Sequence, residues 1–242
     1  MTVQTQTQTR DRHYRYYDLI MAAFICILLC TNLIGAAKQT TLSVPGFRTF
    51  TVGAGVLFFP ISYFFGDVLT EVYGYARDRR VVWAGFTALA FASLMAWVIV
   101  SLPPAPNVFM ATFQGQLEGV FGNTWRIAAG SMLAYWCGSF SNSYVLARLK
   151  VKMRGRWLWM RAILSTAVGE GLDSLLFYGI AFYGIWETRD LIEVAILEYG
   201  IKVFWEALAT PLTYALVNFL KRAEQEDFYD EHTHFNPFSI EP

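Results

Sequence analysis

Apolar residues fall in six long runs along the 242-residue chain, separated by short polar or basic segments. They extend from about Asp18 to Ala37, Val52 to Gly74, Val81 to Leu102, Thr124 to Leu149, Arg161 to Ile185 and Leu191 to Leu220. At ~1.5 Å rise per residue, each is long enough as a helix to cross ~30 Å of hydrocarbon. The last run is longer than a bilayer needs, which calls for tilt or an interfacial start. Between the third and fourth runs, Pro103, Pro104 and Pro106 end a helix, and the following NVFMATFQGQLEGVFG lacks Lys and Arg. It reads as a short amphipathic piece lying on the outer surface. The pattern predicts an all-α membrane protein of six transmembrane helices. A polar N-terminal segment, residues 1–17, is expected to be disordered and then interfacial, residues 18–222 form the helical domain, and 223–242 form a cytoplasmic C-terminal tail.

Composition agrees, since 55% of residues are hydrophobic and 16% charged, against about 25% charged in soluble domains. Formal net charge is zero, so the basic field that a nucleic-acid partner requires is missing. Basic residues are distributed by loop instead. One side holds Arg10, Arg12 and Arg15, then Arg77, Arg79 and Arg80, then six between Arg148 and Arg161, then Lys221 and Arg222. The other holds Lys38, Arg48, Arg126 and Arg189. Basic loops stay cytoplasmic, so both termini are expected inside an inner membrane, and the Arg148 to Arg161 loop is read as a topology and lipid-contact signal. Cys26, Cys30 and Cys137 fall in the runs and are expected to pack as small apolar groups. His13, His232 and His234 lie in the tails, and neither a metal nor a cofactor is expected.

Several polar residues interrupt the apolar runs, and they narrow the functional classes. An ionised side chain near a bilayer centre costs roughly 2.5 to 3.5 kcal/mol on insertion scales, so such residues face a bundle interior or a wet cavity. Asp67 and Glu71 in the second run are four apart and share a helical face. They read either as boundary residues pairing with Arg77, Arg79 and Arg80 or as part of a site. Asn32 in the first run needs a hydrogen-bonding partner. Glu170 and Asp173 lie near the middle of the fifth run, and Glu198, Lys202 and Glu206 form one stripe of the sixth. That spacing lets Lys202 bridge the two glutamates within its own helix, and Lys202 is expected to act as a fixed cation balancing the carboxylates of runs five and six, with Pro211 below as a candidate kink. Asn32, Asp67, Glu71, Glu170, Asp173, Lys202 and Glu206 are therefore the candidate substrate-binding residues, and Tyr63, Phe64, Phe65, Tyr178, Tyr199 and Trp205 are the flat faces near them in sequence. Acidic pairs in runs two and five form a weak echo of a three-plus-three inverted repeat.

Four stretches carry a family resemblance: LLCTNLIGAAK around Asn32, GDVLTEVYGYARDRR, STAVGEGLDSLLFYGIAF and EYGIKVFWEALATPLTY. Over about residues 18 to 222 the chain resembles the queuosine precursor transporter family, also called the vitamin uptake transporter family. The resemblance implies a six-helix inner-membrane importer, similar in fold to the substrate-binding components of energy-coupling-factor transporters. It implies the planar 7-deazaguanines preQ0 and preQ1 as substrates, salvaged for queuosine in transfer RNA. By motif position it carries over Asn32, Asp67, Glu71, Glu170, Asp173 and Lys202 as site residues. Two other readings stay open at this point: a membrane enzyme using paired intramembrane carboxylates, and a binding subunit driven by a separate ATPase, since the chain has no GxxxxGK[ST] loop of its own. The expected partners are the small molecule and the lipid bilayer, with a homodimer left open.

Overall fold

The computed structural model describes residues 14–35, 38–43, 49–122 and 125–239. The N-terminal segment through residue 13, Ala37 and Arg48 lie outside the described residues, with the expectations attached to them. Among the described residues are seven α-helices: α1 (Tyr17–Leu33), α2 (Phe59–Tyr73), α3 (Tyr75–Ser101), α4 (Val108–Phe121), α5 (Trp125–Lys152), α6 (Leu158–Ala181) and α7 (Thr188–Glu224). Helix α4 is the surface piece between the third and fourth runs. Asn107 caps it by accepting from the Met110 backbone N–H at 2.8 Å, and none of its residues is buried.

The six remaining helices follow the six apolar runs with shifted ends. The largest shift concerns the run from Val52 to Gly74, which is not one helix. Strand β1 (Gln39–Ser43) pairs antiparallel with β2 (Thr49–Gly53), and a 3-10 turn (Ala54–Leu57) follows before α2 begins. Apolar content alone cannot separate a β-strand from a helix in so short a run. Gly74, at φ +86°, is the single residue between α2 and α3, and a Cβ there would collide with the Phe228 ring. Helix α7 has 37 residues, about 55 Å at ~1.5 Å per residue, and contains Pro211.

The distribution of side chains reverses that of a soluble protein. Asp67, Glu71, Arg161, Glu170 and Glu206 are at most 1% exposed, while Leu94, Trp97, Leu175, Phe204, Leu208 and Leu212 are 57–70% exposed. Polar inside and apolar outside is the arrangement a lipid solvent selects. By length and composition Ala54–Tyr73 and Tyr75–Ser101 are apolar enough to cross a membrane. Helices α6 and α7 carry buried ions instead. Cys26 and Cys30 are exposed on α1 rather than packed inside as expected.

Close helix contact is built with small residues. A Cβ at Gly138 of α5 would lie 3.0 Å from the Gly169 carbonyl and 3.0 Å from Asp173 Cβ, and one at Gly169 of α6 would lie 2.8 Å from Asn142 Cβ. Two glycines thus let the α5 and α6 backbones approach, as small residues do between membrane helices. They also fix the height at which Asp173 and Asn142 sit.

The chain beyond α7 is packed against the bundle. Phe228 N–H donates to Val72 O at 3.3 Å, Asp230 accepts from Tyr75 N–H at 3.1 Å, Arg79 donates to the carbonyls of His234 and Asn236, and Trp83 Nε1 donates to Pro237 O at 2.7 Å. Residues 14–17 dock beside it, with the Arg15 and Tyr16 N–H groups both donating to Glu224.

Candidate functional site

A cavity of about 1250 Å³ occupies one end of the bundle, bordered by the C-terminal end of α1, the N-terminal ends of α5 and α7, and the C-terminal end of α6. Lys202 and Asp173 lie on its wall, with Asn32, Tyr178, Glu198 and Trp186. Arg126 tightens this end by donating to the Ile180 and Tyr183 carbonyls at 3.0 and 2.9 Å, which satisfies groups that the end of α6 would otherwise leave bare.

The central contact joins α6 and α7. Lys202 Nζ lies 2.8 Å from Glu170 Oε2 and 2.8 Å from Asp173 Oδ2. Lys202 therefore pairs across to α6, with the fifth-run carboxylates it was expected to balance. Residues 170 and 173 are one turn apart on α6 and converge on a single ammonium. Glu198, the other expected in-helix partner, accepts from the Gly53 N–H at 3.3 Å beside the Tyr178 hydroxyl. The Asn32 amide is held from both sides: it donates to Leu28 O at 2.9 Å and accepts from Ser131 Oγ at 2.8 Å. Phe182 and Trp186 add a stacked aromatic pair, with centroids 4.2 Å apart and planes 26° from parallel.

Of the candidate residues, Asn32, Asp173 and Lys202 line this cavity, whereas Asp67, Glu71, Glu170 and Glu206 do not. Glu170 reaches it only by holding Lys202. Glu71 lies in a separate ion cluster at the opposite, basic end. Arg161 clasps it with Nη1 at 2.6 Å and Nη2 at 3.3 Å, and Lys221 Nζ lies 2.7 Å from Oε1. Lys150 Nζ is 3.6 Å from the same carboxylate and donates to Asp227 at 2.6 Å and to the Glu71 and Phe228 carbonyls. The partners of Glu71 are thus Arg161, Lys150 and Lys221, and not the expected Arg77, Arg79 or Arg80. Lys150 and Arg161 are buried structural cations, so the basic loop is more than a lipid-facing signal. Asp227 sits between Lys150 and Lys221, and although partial burial pushes its carboxyl up, hydrogen bonds from both lysines hold it below the usual range.

Asp67 and Glu206 lie deeper, between these two ends. Asp67 Oδ1 accepts from Asn142 Nδ2 at 2.7 Å. Among the described residues, neither Glu206 oxygen has a hydrogen-bond partner, nor does Asp67 Oδ2.

Sequence reasoning placed Glu198 in the Lys202 stripe but did not count it among the binding residues, and it missed Phe182 and Trp186 because they lie past the charged stretch of α6. Among the flat faces named from sequence, only Tyr178 borders the cavity. The available signal was FYGIAFYGIW, an aromatic residue at each turn at the end of a span that carries two carboxylates.

Residues 53–216 match the family described as "Putative vitamin uptake transporter". The chain is 30% identical over 206 residues to the "Probable queuosine precursor transporter" of Bacillus subtilis (strain 168), a match covering 85% of this chain and 87% of the relative. It is 30% identical over 211 residues to the "Queuosine precursor transporter" of Escherichia coli (strain K12), covering 84% and 85% respectively. No solved structure matches significantly.

Proposed function

The chain belongs to the queuosine precursor transporter family, and we propose that it imports the 7-deazaguanines preQ0 and preQ1 across the inner membrane for queuosine salvage in transfer RNA. It is a transporter, not an enzyme. The observation that carries the cargo reading is the cavity wall formed by Asp173, Lys202 and Asn32 beside the Phe182 and Trp186 rings. A guanine-like ring presents an N–H and an exocyclic amine side by side, and one carboxylate accepts both. Asp173 takes that role. The ring carbonyl needs a donor, which Lys202 supplies, with Asn32 on the facing helix. Phe182 and Trp186 offer a face for the ring, a contact worth ~1 to 3 kcal/mol per base in other proteins. Glu198 matches the protonated aminomethyl group of preQ1, which preQ0 lacks. The volume of about 1250 Å³ exceeds the ~300 to 1,000 Å³ of most small-ligand sites, so the base occupies only the part nearest Lys202.

We read α1, α2, α3, α5, α6 and α7 as six spans with both termini inside, in the arrangement of the substrate-binding components of energy-coupling-factor transporters. On that orientation the basic end is cytoplasmic and closed by the Glu71 cluster, and the cavity faces outward. The test is uptake of labelled preQ0 and preQ1 into cells unable to make either, with this chain as the sole import route. Accumulated label and restored queuosine support the reading. No uptake by a well-expressed, membrane-inserted protein sinks it.

A further inference from the structure

Among the described residues, two buried carboxylates have neither a cation nor a hydrogen-bond donor for every oxygen, whereas Asp78 is met by the Ser143 hydroxyl. Glu71 is held by Arg161 and Lys221, Glu170 and Asp173 by Lys202, Glu224 by backbone N–H groups and the Tyr73 hydroxyl, and Asp230 by the Tyr75 N–H. Glu206 on α7 is 1% exposed, with both oxygens unpartnered among the described residues. Asp67 on α2 is 0% exposed, with one oxygen on Asn142 and the other unpartnered. The two interact electrostatically. Buried ionised carboxylates without a counter-charge are far too costly to persist, and two neighbouring ones share a proton rather than both ionise.

Among the described residues the surroundings supply no alternative. From α5 the facing group is the neutral Asn142, from α3 it is Asp78, and along α2 it is Glu71, already matched by its own cations. From α6, Glu170 and Asp173 face the Tyr63 hydroxyl of α2, and α1 carries no Lys or Arg. Among the described residues no three acidic, Cys or His side chains converge as metal ligands, and a proton is the simplest charge that two facing carboxylates without a cation can share. The cation on the same stripe is Lys202, one turn before Glu206 on α7 and paired with Glu170 and Asp173.

We propose that Asp67 and Glu206 form a proton-binding site, separate from the cargo cavity, whose loading couples import to the proton gradient. This rests on the reading of the chain as an importer. With the cavity empty and open to the outside, Lys202 stays on α6 and the Asp67 and Glu206 pair holds its proton. When a base donates its N–H groups to Asp173 and accepts from Lys202 at its carbonyl, the ammonium is kept on α6 and the pair stays protonated; once the base has left on the inner side, Lys202 turns toward Glu206, four residues along its helix. A cation beside Glu206 favours the ionised form, so the proton leaves the pair as water takes it up on the inner side. Cargo and proton therefore move through the same conformational cycle without sharing a ligand.

The experiment uses the full chain in proteoliposomes, in parent form and as Asp67→Asn, Glu206→Gln and the double variant. Labelled preQ0 is the probe because it is uncharged, so any charge moved with it is the proton. The parent is expected to accumulate preQ0 above its external concentration under an acid-outside gradient. The variants are expected to equilibrate preQ0 but not to concentrate it, a loss of at least tenfold in the accumulation ratio. A second readout needs no cargo: the infrared carbonyl stretch of a protonated carboxyl should be present in the parent at neutral pH and absent in the double variant. If the well-folded variants still concentrate preQ0, if a sodium gradient replaces the proton gradient, or if the infrared band survives the double substitution, the proton site is wrong. If the parent fails even to exchange preQ0, the cargo reading fails instead, and the infrared result alone decides whether the pair holds a proton.

Discussion

Lys202 satisfies two carboxylates at once, so removing its charge has a cost that can be traced to named partners. Lys202→Met keeps the bulk of the stem but strands Glu170 and Asp173. Breaking a buried pair in this way commonly costs ~3 to 5 kcal/mol, so a marked fall in the melting temperature of the detergent-solubilised protein is expected. Adding Glu170→Gln should recover part of that stability while uptake stays lost, because the carbonyl donor is still missing. A double variant no more stable than the single one would show that Glu170 is not the partner. At the cavity wall, Asp173→Asn should lower uptake by about tenfold or more, since hydrogen bonds to a charged group contribute ~1.5 to 3 kcal/mol. Arg154→Gln, at an exposed turn residue, should not. The presence of these charges was legible in the sequence, as was their confinement to the protein interior. The balance between Lys202 and the fifth-run carboxylates was legible as well, but its geometry was not. Neighbours one turn apart on a helix are visible in any sequence, whereas Lys202 meets α6 through the relative height of two helices. The close contacts at Gly138 and Gly169 fix the height of Asp173 against α5, and no charge pattern shows how α7 is placed beside it.

At the scale of elements, the segment after α7 behaves as a strap that joins α2, α3 and α5. Asp227 is its electrostatic anchor. The lysine hydrogen bonds that hold its carboxyl below the usual range favour the ionised form in the folded state. A depressed folded value stabilises the protein above the unfolded pKa of about 3.9, and the contribution disappears as pH falls through the folded value. Asp227→Asn should therefore lower the melting temperature at pH 7, and the difference from the parent should shrink as the pH is taken below about 4. A difference that stays constant over that range would remove the ionic explanation. Gly74 gives a second handle, because Gly74→Ala forces a positive φ on a residue with a side chain and drives its Cβ into Phe228. The order of the six long helices was readable from apolar length, yet two features escaped. The β1–β2 hairpin lies in and before an apolar stretch that also fits a helix. The docking of residues 225–239 depends on Arg79, Trp83 and Tyr75 offering their polar groups sideways, which no periodicity reveals.

For the whole molecule, the separation between a sealed basic end and an open cavity end makes a directional claim. The basic end closes because α2, α5, α6 and α7 converge on one carboxylate, Glu71, through Arg161, Lys150 and Lys221. Among the described residues the opposite end has no such knot, and the aromatic pair Phe182 and Trp186 borders the opening there. If the loops rich in Lys and Arg are cytoplasmic, a membrane-impermeant thiol reagent added outside intact cells should reach the cavity and not the basic end. In a background with Cys26, Cys30 and Cys137 replaced by Ala or Ser, Trp186→Cys should label from outside, as should a cysteine in the 103–107 connection, while one at Arg154 should label only after the cells are opened. Cargo adds a second condition, because a base stacked on Phe182 and held by Asp173 covers residue 186. Saturating preQ0 should therefore slow labelling at 186 and leave the 103–107 position unchanged. Labelling of Arg154→Cys in intact cells would invert the orientation. Labelling at 186 that ignores preQ0, in a variant that still imports it, would move the cargo away from the aromatic pair and toward another part of the cavity.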